Sequence, residues 1–209
     1  MSDERIVMPC IPLRGLSVFP RTILHFDIGR EKSIKALEAA MNGDKLLFVT
    51  SQIDENILIP TQDDYYHVGT VVKVKQMLKI QGDAVRVLVD GQYRAKLEYV
   101  LTEEPYIQTE ISEAEIIPAE PDDIETEALM RCVLDTFDEY MSLNSSVKEE
   151  VYDLISSIHE PDIFADTIAM QMNIKISDKQ EILEAFDVKQ RLERLATIIT
   201  EENEVLSQH

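Results

Sequence analysis

Residues able to do chemistry are present in this chain, but none stand in a grouping that a known mechanism needs. The four histidines, His25, His67, His159 and His209, are isolated from one another. His67, beside Asp63, Asp64 and Tyr66, is the only polar cluster that suggests a metal site. A metal site needs three or four ligands at set spacings, and a solvated loop running into a strand explains this cluster better. The carboxylate pairs Asp63-Asp64, Glu103-Glu104 and Asp122-Asp123 could in principle do general acid–base work. Adjacent acids in polar segments, however, usually face solvent or cap helices. Cys10 and Cys132 lie far apart in segments of different character, and read as free thiols rather than a disulfide or a metal pair. No glycine is followed by lysine, which excludes nucleotide hydrolysis of the P-loop type. A Gly-x-Ser-x-Gly elbow and a His-Glu-x-x-His helix are both missing. No catalytic, cofactor-binding or metal-binding residue is expected, and binding is the function that remains.

Apolar residues at turns are the candidates for that function. Phe19, Pro20 and Ile23 lie beside a turn, and Met77-Leu78 sits near the tip of a long hairpin. Either these five adjoin as a patch suited to greasy, unfolded segments, or they only close one end of a β core. Eight methionines add side chains that adapt to irregular partners. The formal charge of −20 argues against nucleic acid, which calls for a basic face, and disfavours anionic membranes. No apolar run reaches the roughly 18 residues of a membrane span. The opening Met1-Ser2-Asp3-Glu4 lacks the basic start and apolar block of a secretory signal. A cytoplasmic location follows as the expectation.

The elements that must position these residues divide into two groups. All six glycines lie in the first 91 residues, and seven of eight prolines fall at or before Pro121, so the chain passes from turn-rich to turn-poor near residue 120. Domains are expected over 1–117 and 118–209. In the first, Arg5 to Cys10 reads as a strand ended by Pro12, and Pro12 to Pro20 as a tight turn into a second strand over Thr22–Phe26. Ile34, Leu37, Ala40 and Met41 recur at helical spacing over Glu31–Met41, with Asn42-Gly43 as the stop. Lys45–Thr50 reads as a strand and Ile53–Asp64 as a polar loop. His67–Ile80 and Ala84–Val89 make a hairpin about Gln81-Gly82-Asp83. Asp90-Gly91 reads as another turn, before Tyr93–Leu101 and a last strand within Tyr106–Ile117. This is a mostly antiparallel β lobe, a partly closed barrel.

In the second group, Asp122 or Asp123 can cap a helix bearing Leu129, Val133, Phe137 and Tyr140. Ser146 with Glu149, Ser177 with Gln180, and Asp187 with Gln190 are capping pairs, and Pro161 opens a further helix. The final apolar pattern still runs at Val205 and Leu206, as in a fragment of a longer polypeptide. The fold class is therefore α+β, a β-rich lobe followed by an all-α bundle.

The run Ile11-Pro12-Leu13-Arg14-Gly15 with Val18-Phe19-Pro20 closely resembles the opening of the amino-terminal domain of Lon proteases. Further similarity follows in order: Phe26-Asp27-Ile28-Gly29-Arg30 with Lys32-Ser33, Val68-Gly69-Thr70 into Lys75-Gln76-Met77-Leu78, and Val87-Leu88-Val89-Asp90-Gly91 with Arg94. Glu160-Pro161 with Ala165-Asp166, and Lys179 to Glu184, resemble its helices. The matches run from about Ile11 to Leu195. The resemblance implies a PUA-like β lobe and a helical second lobe. It also implies recognition of unfolded or degron-bearing proteins for a bacterial, cytoplasmic ATP-driven protease, and support of a hexamer. ATP and Mg, with a Ser–Lys dyad, would belong to modules further along the parent polypeptide, so this chain alone should neither hydrolyse ATP nor cleave peptides. Two alternatives are a free-standing adaptor or small-ligand binder, with a concave pocket between strands, and an enzyme with converging buried carboxylates or histidines.

Overall fold

Short apolar strands that must bury both faces need a layer on each side, and the first part of the chain supplies both. In the computed structural model, which describes residues 4–144, 147 and 149–208, the chain forms two units, Met1–Glu115 and Ile116–His209. The first holds strands β1 (Arg5–Leu13), β2 (Ile23–Ile28), β3 (Leu46–Ser51), β4 (Val68–Lys79), β5 (Val85–Thr102) and β6 (Gln108–Glu113), with helix α1 (Glu31–Met41) between β2 and β3. The strand order is β2-β5-β4-β3-β1-β6, and β6 pairs back onto the far end of β5. Five strands thus close into a ring, with β2 as an added edge on β5.

Period-two alternation sorts the apolar residues into two cores. Leu47 and Val49 of β3, Ile11 and Leu13 of β1, and Val85, Val87 and Val89 of β5 join Ala36, Leu37 and Ala40 of α1. Phe48 of β3, Met8 and Cys10 of β1, Val71 of β4 and Ala95 and Leu97 of β5 meet in a second cluster with Ile107 and Ile111.

Two sequence expectations change here. β1 runs through Pro9 and Pro12 instead of ending before them. Its first half pairs only with β6 and its second half, in parallel, with β3, so each half has a strand on one side and a missing proline N–H is tolerated. Gly91 is not a turn. It lies inside the continuous 18-residue β5, at a bulge where Val72 pairs with Gly91 and Val71 with Tyr93. A Cβ on Gly91 would stand 2.4 Å from the Phe19 carbonyl oxygen, because the chain after Val18 crosses β5 at this point. Arg21 N donates to Gly91 O (2.8 Å) and Gly91 N donates to Thr22 O (2.9 Å).

The second unit is helical: α2 (Ile124–Leu143), α3 (Glu149–Ser156), α4 (Pro161–Gln171), α5 (Ile176–Glu184) and α6 (Val188–Ser207). Asp123 is the cap of α2, accepting from Thr126 N and Thr126 Oγ1. Asp187 caps α6 by accepting from Gln190 N (3.1 Å), and Pro161 is the first residue of α4. Ser177 does not cap; α5 begins at Ile176 after Lys175, which puts Ser177 within the first turn. Of the Ser146–Glu149 pair, Ser146 lies outside the described residues, and Glu149 is the first residue of α3. Val133, Phe137 and Tyr140 of α2 are buried, as are Phe164 and Ile168 of α4 and Leu192, Leu195 and Ile199 of α6. The Tyr140 hydroxyl accepts from Asn144 Nδ2 (2.8 Å) and Asn173 N (3.0 Å), which satisfies its buried oxygen.

At the centre of this unit Arg191 of α6 is fully buried. Its Nη1 donates to carboxylates of Asp162 and Asp166 on α4, and its Nε to Ala185 O (2.9 Å) at the end of α5. Among the described residues no helix is long and apolar enough to cross a membrane.

The two thiols report on different places. Cys10 is buried in the ring, and burial raises its pKa far above that of a free thiol, while Cys132 is exposed on α2. In a native thiol titration, Cys132 should react at once and Cys10 only as denaturant opens the β unit. Fast reaction of both without denaturant would contradict this burial.

Candidate functional site

The five apolar candidates separate on the structure. Phe19 is 0% exposed and Pro20 is buried, contrary to their expected place beside an exposed turn. The Pro12–Pro20 run is not a tight turn between strands; after Gly15, at φ +67°, it folds back over the sheet. There Thr70 Oγ1 donates to Val18 O (2.7 Å), and the Arg94 guanidinium lies 5.8 Å from the Phe19 ring centroid. Met77 pairs with Val87 and packs, half-buried, against the α1-side core. Ile23 (66% exposed) and Leu78 (58% exposed) remain as free apolar side chains.

Strand register puts those two on one face. Ile23, His25 and Asp27 alternate outward along β2, opposite Asp90, Leu88 and Arg86 of β5, and Leu78 of β4 lies opposite Arg86. Ile23 and Leu78 are therefore four β5 residues apart along the strand direction, about 13 Å, and two strands apart laterally, roughly 10 Å. Between them lie half-buried Leu88 and a bidentate pair, Arg86 Nε to Asp27 Oδ1 (2.8 Å) and Arg86 Nη2 to Asp27 Oδ2 (3.1 Å). That pair holds the Asp27 carboxyl below its ordinary pKa. The result is two apolar anchors on a mixed polar strip, not a continuous greasy patch.

The loop between β3 and β4, read from sequence as simply polar, holds a second apolar surface. Leu58 and Ile59 are 69% and 71% exposed. With Pro60, Pro12, Pro105 and Ile107 they wall a cavity of about 470 Å³ whose other side is Arg30, Lys32 and Lys35 at the start of α1. Arg30 also lines an adjoining cavity of about 160 Å³, walled by Leu13, Leu16, Phe26 and Ile28 and by Arg14. The Arg30 guanidinium donates to Pro12 O (2.6 Å), Gln52 Oε1 (2.6 Å) and Leu58 O (3.3 Å), all neutral acceptors. Burial, and then the neighbouring Arg14, lower its pKa below the usual guanidinium value. The signal for this site was present as Ile57-Leu58-Ile59-Pro60, an apolar run in a loop; its pairing with Arg30 needed the fold.

The chain matches the family model of the "ATP-dependent protease La (LON) substrate-binding domain" over residues 7–201. It is 45% identical over 203 residues to a Lon protease of Clostridioides difficile (strain 630), covering 95% of this chain and 26% of that protein. It is 42% identical over 199 residues to Lon protease 1 of Bacillus subtilis (strain 168), covering 95% of this chain and 26% of the relative. The chain thus spans about a quarter of the length of these curated relatives. The N-terminal domain of a Mycobacterium avium complex Lon protease has the same fold, with a TM-score of 0.74 at 19% identity over 93% of this chain and 98% of that one. A Lon N-terminal domain protein from Xanthomonas campestris gives a TM-score of 0.61 at 13% identity, covering 92% and 98%.

Proposed function

Because the chain belongs to the Lon substrate-binding domain family, we propose that it captures unfolded or degron-bearing proteins for a cytoplasmic, ATP-dependent protease. The match over residues 7–201 is the observation that carries this reading. In it, the parent polypeptide supplies ATP and Mg binding and a Ser–Lys dyad in further modules, and this domain supports a hexamer of that parent. The relatives' fourfold greater length supports such a division of labour. The domain's own share is binding without catalysis.

Ile23 and Leu78 are the contacts proposed for greasy segments of clients, since they are apolar, exposed and on one sheet face. Phe19 and Pro20 are buried at the crossing over Gly91 and Met77 packs into the α1-side core, so they are not proposed as direct contacts. Spaced anchors with polar groups between them suit weak, sequence-tolerant binding, in which each anchor contributes modestly. The charge of −20 favours basic clients over acidic ones. The test is anisotropy titration of reduced, carbamidomethylated lysozyme, a basic unfolded chain, against the native domain and its Ile23→Asp and Leu78→Asp variants. Both sites are exposed, so thermal unfolding should be unchanged. Each substitution should weaken binding about tenfold, the loss of one apolar anchor. Undiminished binding by the double variant would eliminate this face as the contact.

A further inference from the structure

Most charges around the two cavities at Arg30 cancel within the protein. Lys32 pairs with Glu104 (2.8 Å), Lys35 with Glu31 (3.0 Å), and Asp27 is held by Arg86. Arg14 and Arg30 are left. Among the described residues neither guanidinium has a carboxylate within the 4.0 Å of an ion pair, although the chain carries 40 acidic residues. Glu55, whose carboxylate lies over Gly15, is not within that distance of either. Two like charges brought to one cavity without an internal counterion repel each other, and an external carboxylate between them would relieve this. Guanidinium is also the side chain whose planar fork best fits a carboxylate.

The walls define the rest of the ligand. Arg30 is shared by both cavities, with Leu16, Phe26 and Ile28 on one side and Leu58, Ile59 and Pro105 on the other. A chain occupying both continues past Arg30 in each direction, so its carboxylate is an internal side chain and not a terminus. We propose that this groove receives an extended apolar peptide segment carrying one internal Asp or Glu, whose carboxylate sits against Arg14 and Arg30. This rests on the reading of the domain as a client-binding module and names the kind of client segment it selects. It also gives an acidic domain one place where an acidic residue is welcome.

The test uses fluorescent, end-blocked peptides of Leu and Val with a single central Glu, or Gln in its place. Binding is measured by anisotropy to the full 209-residue chain and to its Arg14→Gln and Arg30→Gln variants. The Glu peptide should bind about tenfold tighter than the Gln peptide, and either substitution should abolish that preference. Arg30 also fastens the β3–β4 loop, so Arg30→Gln can loosen the groove; exposed Arg14 has no such contact, and its variant isolates the charge effect. Equal binding of the two peptides would overturn the proposal, as would no binding of either. Tight binding only by a Gln peptide with a free C-terminus would overturn it too, assigning the site to a terminal carboxylate. In the Leu78→Asp variant the Glu preference should persist while unfolded lysozyme binding falls. Failure of the groove is thereby distinguished from failure of the general client-binding role.

Discussion

Gly69→Ala should destabilise the β unit by about 3 kcal/mol, the upper range for forcing an atom into a packed interior. A Cβ at residue 69 would lie 2.2 Å from the Val49 carbonyl oxygen and 3.0 Å from two Phe48 ring carbons. The obstruction is backbone of the neighbouring strand, which cannot rotate aside as a side chain could, so β3 and β4 must part. Gly91→Ala should behave similarly, since its Cβ would meet the Phe19 carbonyl at 2.4 Å and lift the Val18–Pro20 crossing. Gly29→Ala is the internal control, with no atom within 4 Å of the added carbon. The urea midpoint for Cys10 exposure follows this unit alone, because Cys10 is buried within it and Cys132 is already exposed. Midpoints for Gly69→Ala and Gly91→Ala that match Gly29→Ala would refute the close approach. Since a domain's whole margin is only about 5–15 kcal/mol, either glycine carries a substantial share of it.

The other large effect belongs to the helical unit. Asp166→Ala removes a buried carboxylate (3% exposed) from a guanidinium that has no access to water. Breaking one side of a buried ion pair typically costs about 3–5 kcal/mol, because the remaining charge is stranded in a poorly polarisable interior. Asp162→Ala should cost less, as its side chain is 32% exposed and water can enter in its place. Replacing Asp166 and Arg191 together by Leu and Met should recover much of the loss. Thermal unfolding followed by helical circular dichroism reads all three. Equal penalties for the two aspartates would show that Arg191 is not dry as described.

Local signals carried much of this architecture, and their failures have identifiable causes. Helix α1 was legible to its last residue because Ile34, Leu37 and Ala40 recur on one face and Asn42 follows. Asp123, Asp187 and Pro161 marked helix starts correctly because capping is chemistry between near neighbours. Gly91 looks locally like a turn, but the reason for a glycine there is the Phe19 carbonyl, 72 positions away in sequence. The same long-range crossing hides Phe19 and Pro20, which locally look like turn residues. Ile23 and Leu78, apolar residues near strand ends, are the two of the five candidates whose exposure local sequence does indicate. Arg30 gives no such local signal, because a half-buried cation takes its meaning from what surrounds it in space.

The route by which the ring closes shapes how the β unit comes into being. β1 is made first, yet its first half pairs with Gln108–Ser112 and its second half with Phe48–Ser51. β5, in turn, must align with β2, β4 and β6. Chains dominated by such distant pairings fold slowly, since loop-closure entropy is lost before the contacts that compensate it form. On the ribosome, β1 therefore waits unpaired along one side until residue 112 has emerged, roughly a hundred residues after its own synthesis. A domain whose proposed task is to receive unfinished chains is, for that interval, an unfinished chain itself.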